Sequence, residues 1–126
     1  MLKDKYSYIA LFTYEDAGIS IEFPDLPGCY PCADKDNTDE ALKNAKEALG
    51  LHIWGMEQDH EIIPKPSAVT DLKLKPNQVS VLIEIYATVQ RTYEHKNLRN
   101  LANRNRDIAV FFFLFTYVIL HSAMQA

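Results

Sequence analysis

Acidic side chains near the ends of predicted strands are the first candidates for chemistry in this chain. Glu22 and Asp25 lie around the end of one apolar run, and Glu84 lies within a later one. Two-metal nucleases collect such carboxylates at the edge of a sheet, where the ions act on a phosphate. The first predicted strand, residues 6–14, has no acid in its interior, so the usual anchoring ligand is missing. We therefore expect solvated or capping acids and no metal site, with a metal-dependent nuclease as the alternative.

The two cysteines form a C-x-x-C pair, Cys29 and Cys32. Redox enzymes place such a pair at a helix N-terminus, which lowers the thiol pKa, but residues 33–36 separate Cys32 from the predicted helix. Zinc would need two further ligands, and the sequence has no second C-x-x-C or paired-histidine motif. The four histidines are scattered, and glycine-rich phosphate loops and cofactor motifs are absent from the sequence. We predict a protein that is not an enzyme and that needs no cofactor.

Basic and amide side chains are interleaved in the polar stretch 87–106. Arg, Lys and Asn are the usual side chains for contact with phosphates and base edges. The candidate DNA-binding residues are Lys96, Asn97, Arg99 and Arg104, and Arg91 and Arg106 lie in the same stretch. A solvated polar linker is the competing interpretation.

Charge divides the chain of 126 residues unevenly. Residues 1–86 hold 8 Lys and Arg against 15 Asp and Glu, whereas residues 87–126 hold 5 against 2. The acidic part suits a basic partner and the basic part suits an anionic one. The length predicts one domain, residues 1–86, with a C-terminal segment, residues 87–126. Two cysteines and an N-terminus without a signal-peptide pattern predict a cytoplasmic protein.

Alternating apolar residues predict the strands that position these groups. Residues 6–14 carry apolar side chains on both faces, which is typical of a central strand, and residues 19–23 return after a turn at Gly18. Residues 29–33 are a candidate short third strand, and residues 79–86 alternate again. Between them, Asn37 is the predicted cap of a helix, with Glu40 completing a capping box. The order β-β-β-α-β predicts an α+β unit with one helix packed on a sheet.

The helix is expected to bury one apolar face. Its predicted members are Ala41, Leu42, Ala45, Ala48, Leu49, Leu51 at its margin, His52, Ile53 and Met56.

The loop before this helix has the most distinctive composition. Two prolines and a glycine end the preceding strand and order the loop. Its sequence is Phe23, Pro24, Asp25, Leu26, Pro27, Gly28 and Cys29.

With residues 8–10, 16–22 and 38–49, this loop resembles the HicB antitoxins. Their pattern runs strand, glycine turn, strand, F-P-D-L-P-G-C and then a T-x-E-E-A-L-x-N-A-x-E-A-L helix, and the resemblance covers residues 6–86. It implies a partial ribonuclease-H-like fold without catalytic acids. It also implies binding to a HicA toxin, a small basic protein that cleaves mRNA. The family motif loop is then Phe23–Gly28, and Glu22 and Asp25 are the candidate toxin-facing acids.

In that family a C-terminal module, ribbon-helix-helix or helix-turn-helix, dimerises and binds the operator. By this resemblance residues 96–102 are the candidate ribbon strand, and residues 107–110 and 115–124 are candidate helices. The apolar run 108–120 is shorter than the ~20 residues of a bilayer span and favours a buried dimerisation element, with a membrane-tethered adaptor as the alternative. The resemblance therefore implies a homodimeric or larger antitoxin that neutralises its toxin and represses its operon.

Overall fold

The computed structural model of the chain describes residues 3–104, with side chains to residue 101. It has a mixed α+β architecture of four strands, two α-helices and one short 3-10 turn. The elements are β1 (Lys5–Glu15), β2 (Gly18–Glu22), β3 (Cys32–Ala33), α1 (Thr38–Gln58), the 3-10 turn (Val69–Asp71), β4 (Gln78–Tyr86) and α2 (Ala87–Arg104). The predicted order β-β-β-α-β is confirmed, although the third strand is limited to two residues.

The four strands form one antiparallel sheet in the order β3-β2-β1-β4. β1 is internal to this sheet because it carries apolar side chains on both faces, as the sequence predicts. Phe12 lies opposite Ile21 on one neighbour and Val79 on the other. The β1–β4 pairing runs without a break from Lys5 opposite Tyr86 to Thr13 opposite Gln78.

Helix α1 covers one face of the sheet and closes the core. Its small residues Ala41 and Ala45 are completely buried, which allows the helix backbone to approach the strands closely. Two predicted members of its apolar face are instead exposed: Leu42 by 38% and Leu51 by 54%. The periodicity explains this correction. Leu42 lies to one side of the neighbouring buried residues Ala41 and Ala45, whereas Leu51 lies roughly opposite the buried Leu49 and Ile53 on the helix. The largest fully buried side chains are Tyr8, Phe12, Ile19, Phe23, Leu26, Leu49 and Ile53.

The start of α1 follows the predicted cap. The Asn37 side chain accepts a hydrogen bond from the Glu40 backbone N–H at 3.0 Å. The second half of the capping box differs, because the Glu40 carboxylate accepts from the backbone N–H of Asp34 at 3.4 Å. Asp36, with φ 60°, lies in the turn that makes this arrangement possible.

Helix α2 begins directly after β4 and corrects one expectation. Residues 96–102 are helical and not a ribbon strand, because they contain no β-branched residue and include the good helix formers Lys, Leu, Arg and Ala. Residues 87–104 of the predicted polar stretch are likewise helical. The expected helices 107–110 and 115–124 and the apolar run 108–120 lie outside the described residues.

The chain divides into two units, residues 1–91 and 92–126, and the first unit therefore includes the opening turn of α2. The boundary at residues 86/87 stays a prediction. Within residues 3–104, neither helix has the length and apolar character that a bilayer span requires.

Candidate functional site

The loop of residues 23–29 is anchored by its apolar side chains. Phe23, Leu26 and Cys29 are each at least 97% buried, and they recur every third residue. Two consecutive turns connect them: the Leu26 N–H donates to the Phe23 carbonyl at 2.9 Å, and the Cys29 N–H donates to the Leu26 carbonyl at 3.2 Å. Gly28 has φ +96°, a conformation that L side chains rarely adopt. The family motif therefore fixes the backbone of this loop.

The Asp25 carboxylate connects this loop to a distant segment. It accepts hydrogen bonds from the Ser67 backbone N–H at 2.9 Å and from the Ser67 hydroxyl at 2.5 Å. The Tyr8 hydroxyl donates to the Pro64 carbonyl in the same segment. Burial raises the pKa of Tyr8 to about 12, so this hydroxyl remains protonated at neutral pH. Residues 23–29 and 62–67 thus form one ordered surface, called here the paired loops.

Sequence reasoning missed Ser67 and Pro64 as partners. Ser67 lies 42 residues from Asp25, and Pro64 lies 56 residues from Tyr8. The available signal was the extended stretch 62–67, whose two prolines exclude a helix and whose backbone groups need partners outside the segment.

Glu22 and Glu84 lie on the sheet face that α1 does not cover. Glu22 is opposite Leu11 and Glu84 is opposite Ser7, so both share the face of these β1 residues. Glu22 is exposed and borders a cavity of about 370 Å³. Lys5 lies 3.1 Å from Glu84, and the Ser7 hydroxyl donates to the same carboxylate at 3.3 Å. The hydrogen bond and charge of Lys5 lower the pKa of Glu84.

The structure does not bring Glu22, Asp25 and Glu84 together as metal ligands. Asp25 contacts Ser67, and Glu84 contacts Lys5 and Ser7. Across residues 3–104, no group of three His, Cys, Asp or Glu side chains is placed to hold a metal ion.

Both cysteines are free thiols, Cys29 buried and Cys32 exposed. Burial raises the pKa of Cys29 to about 11. A redox pair needs the opposite shift in its reactive thiol. Cys29 instead serves as a small apolar residue of the core, in contact with the loop that it ends.

Three of the candidate DNA-binding residues, Lys96, Asn97 and Arg99, are exposed on α2, and Arg104 is its last residue. Lys96 and Arg99 are three positions apart, which places them one above the other on the helix. Arg91 differs from them, because its guanidinium lies 2.5 Å from Glu57 and also donates to the Lys3 carbonyl at 2.8 Å. Arg91 is therefore a structural residue of the first unit.

Comparison with known proteins places these features in a family. Residues 8–104 match the family model described as the HicB-like antitoxin of bacterial toxin–antitoxin systems. A 14.9 kDa protein from the rep–hol intergenic region of Haemophilus phage HP1 is 34% identical over 68 residues, which are 54% of this chain and 50% of that protein. A UPF0150 protein of Synechocystis is 34% identical over 82 residues, which are 64% of this chain and 94% of that protein. The match thus spans about half the length of the phage protein.

Solved structures share the fold. A chain of the HicA3 and HicB3 toxin–antitoxin complex aligns with a TM-score of 0.51 at 20% identity, covering 62% of this chain and 95% of that one. The Burkholderia pseudomallei antitoxin HicB aligns with a TM-score of 0.53 at 23% identity, covering 83% and 88%. Its N-terminal domain alone aligns with a TM-score of 0.50 at 23% identity, covering 64% and 98%. With its family model matched over residues 8–104, this chain belongs to the HicB-like antitoxin family.

Proposed function

We propose that this protein is a non-enzymatic antitoxin that binds and neutralises a HicA-type toxin, an mRNA-cleaving ribonuclease. The match of residues 8–104 to the antitoxin family carries this proposal. The shared fold with a chain of the HicA3 and HicB3 complex supports it. Such a role places the protein in the cytoplasm, where mRNA and the operator are found.

The paired loops, together with Glu22, are the proposed toxin-binding surface. Glu22 directly precedes the first of these loops, and Ile62 in the second is 93% exposed. An ordered surface that carries both an exposed apolar side chain and acids suits a basic protein partner. Because internal hydrogen bonds already fix both loops, little conformational entropy would be lost when a toxin binds.

The acids of the proposed surface lie outside the ion pairs of the described residues. The ion pairs between described residues join Lys5 to Glu84, Lys35 to Asp16 and Arg91 to Glu57. Glu22 and Asp25 belong to none of these pairs, so their negative charges remain available to steer a cationic toxin.

A binding experiment with the neighbouring small basic gene product tests this function. The full chain, co-expressed with that product, should be captured with it and should stop its cleavage of RNA. Glu22→Lys should weaken the complex about tenfold or more, because like charges would then face each other. Asp71→Lys, the same charge reversal in the exposed 3-10 turn, should leave affinity unchanged. Absence of a complex, or equal losses in both variants, would overturn the proposed surface.

Non-enzymatic action has its own test. The purified chain with Mg²⁺ or Mn²⁺ should leave RNA intact at concentrations that neutralise the toxin. RNA cleavage that Asp25→Asn abolishes would establish the nuclease alternative instead.

We also propose that the C-terminal segment, residues 87–126, dimerises and represses the operon. Lys96, Asn97, Arg99 and Arg104 on α2 would then contact operator DNA as part of a helix. Each neutralised phosphate contributes about 0.9 to the slope of log affinity against log salt. Arg99→Ala should therefore reduce that slope by about one unit, whereas Lys73→Ala, outside α2, should not. Salt-independent binding of the operator, or equal slopes in both variants, would contradict this part.

A further inference from the structure

Among residues 3–104, β4 is an outer strand with one long edge that has no partner strand. It has nine residues, and within the described sheet it pairs only with β1. Natural proteins protect such edges with proline, charged residues (lysine above all), bulges, very short strands or a covering helix or loop. Residues 78–86 contain no proline or lysine, and Glu84 is their one charged residue. Their unbroken pairing with β1 contains no bulge. The opposite edge of the sheet is protected, since β3 has only two residues.

An open groove follows this edge along its border with α1. Two neighbouring cavities, of about 500 and 300 Å³, share Lys46 and Glu84 in their walls. Leu42 of α1 and Leu82 of β4 line the first, and Tyr86 lines the second. These apolar side chains are 38%, 58% and 57% exposed respectively. Within the part of the chain that the structure describes, the groove thus combines a strand edge without a partner strand and exposed apolar side chains, which is the combination that strand addition uses.

The sequence of β4 is complementary to itself in one antiparallel register. With Leu82 opposite Leu82 of a second copy, Ser80 lies opposite Glu84, so that a hydroxyl donor meets a carboxylate. On the face that α1 covers, Val81 then lies opposite Ile83. The register centred on Glu84 would instead place two carboxylates directly opposite each other, which is destabilising. The register centred on Leu82 also pairs the strand over its whole length, from residue 78 to residue 86.

We propose that β4 pairs antiparallel with β4 of a second copy of this chain, about a two-fold axis through Leu82. The two four-stranded sheets then form one continuous eight-stranded sheet. A two-fold interface requires a surface that is complementary to itself, and the register centred on Leu82 meets that requirement. This interface differs from the proposed C-terminal dimerisation and toxin-binding surfaces. β2, which carries Glu22 and leads into the paired loops, lies on the other side of β1.

The first test introduces charged side chains at the proposed two-fold axis of the full chain. Leu82→Lys places two lysines face to face and should raise the dissociation constant of this interface about tenfold or more. At a protein concentration between the dissociation constants of wild type and variant, the mass measured by light scattering should then fall toward half the wild-type value. Leu51→Lys, at a site with similar exposure (54%) on α1, should keep the wild-type mass. An unchanged mass for Leu82→Lys would overturn the proposal.

Mixing two variants tests whether residue 82 of one copy lies opposite residue 82 of the second copy. On its own, neither Leu82→Lys nor Leu82→Glu should form the interface. A mixture of the two variants should form it, because opposite charges then meet at the axis. Failure of the mixture to regain the wild-type mass would contradict the register centred on Leu82.

Cross-linking tests the same contact without adding charge. In a Cys32→Ser background, which removes the exposed native thiol, Leu82→Cys should form a disulfide-linked dimer under mild oxidation. Leu51→Cys in the same background should not. Equal cross-linking of the two variants, or none at position 82, would refute the proposal. Toxin capture by Leu82→Lys should remain at the wild-type level, which separates failure of this inference from failure of the antitoxin function.

Discussion

Replacing Arg91 with alanine should destabilise the first unit. Among the exposed and half-exposed side chains at positions 87–91 of α2, we expect the loss of this one to have the largest effect on stability. The Arg91 guanidinium holds the Glu57 carboxylate with two hydrogen bonds, of 2.5 Å and 3.1 Å. It also donates to the Lys3 carbonyl at 2.8 Å. The contact therefore connects the end of α1, the residues before β1 and the first turn of α2.

The magnitude follows from the burial of the two partners. The Glu57 side chain is only 4% exposed, whereas the Arg91 side chain is 24% exposed. Removing one partner of a buried ion pair costs about 3–5 kcal/mol, because the other charge stays buried without compensation. Since solvent reaches part of Arg91, we expect the lower end of this range, about 3 kcal/mol, for Arg91→Ala.

Urea unfolding followed by circular dichroism, at one fixed protein concentration, measures this loss. Arg91→Lys keeps the charge but loses the two-pronged geometry, so its free energy of unfolding should lie between those of wild type and Arg91→Ala. Combining Arg91→Met with Glu57→Gln removes both charges and should recover most of the stability.

The double-mutant cycle decides whether the ion pair is responsible. A coupling energy near 3 kcal/mol between positions 57 and 91 is expected, whereas independent contributions would give values within about 0.5 kcal/mol of zero. Loss of less than 0.5 kcal/mol in Arg91→Ala would refute the reasoning, since an exposed ion pair contributes about that little.

Three further predictions concern the sheet and its helix. Gly18→Ala should destabilise the chain by at least 1–2 kcal/mol, because Gly18 has φ +143° and an added Cβ would lie 2.7 Å from the Ala33 carbonyl oxygen. Gly55→Ala, with no atom within 4 Å of the added Cβ, should stabilise α1 by about 0.5–1 kcal/mol; the reverse order of their urea midpoints would contradict both expectations. NMR titration should show the pKa of Glu84 below its ordinary range, since Lys5 lowers it, and Lys5→Met should raise it. A lowered pKa stabilises the folded state above the unfolded-state pKa, so this contribution is lost as pH falls through the folded-state pKa of Glu84. An unchanged Glu84 titration in Lys5→Met would rule out Lys5 as the cause.

The strands, the cap and the helix were predictable because each depends on residues close in sequence. Alternation predicted β1 and β4, and Asn37 with Glu40 predicted the start of α1. The contacts that order the paired loops were not predictable, because Asp25 and Ser67 are 42 residues apart and only the tertiary fold brings them together. The prediction of a ribbon strand at residues 96–102 was the clearest error. The local composition favours a helix there, but the analogy with the ribbon of the family was given more weight.

The Asp25, Tyr8 and Cys29 side chains all serve the internal structure of the paired loops. A catalytic carboxylate must be available to a substrate or a metal ion, and a catalytic hydroxyl or thiol requires a base or a lowered pKa. Here the Asp25 carboxylate contacts Ser67, the Tyr8 hydroxyl contacts Pro64, and burial raises the pKa of Cys29.

Each of these groups supports the backbone of the paired loops. A surface ordered in this way before its partner arrives avoids the entropic cost of ordering loops during association. The advantage would be large for an antitoxin, because neutralisation depends on occupying the toxin more tightly than its RNA substrate does. Asp25→Asn should therefore weaken toxin binding chiefly through looser loops. Cross-linking residues 25 and 67 as cysteines, in a Cys32→Ser background, should restore affinity if ordering is the cause and should not if the charge of Asp25 contacts the toxin directly.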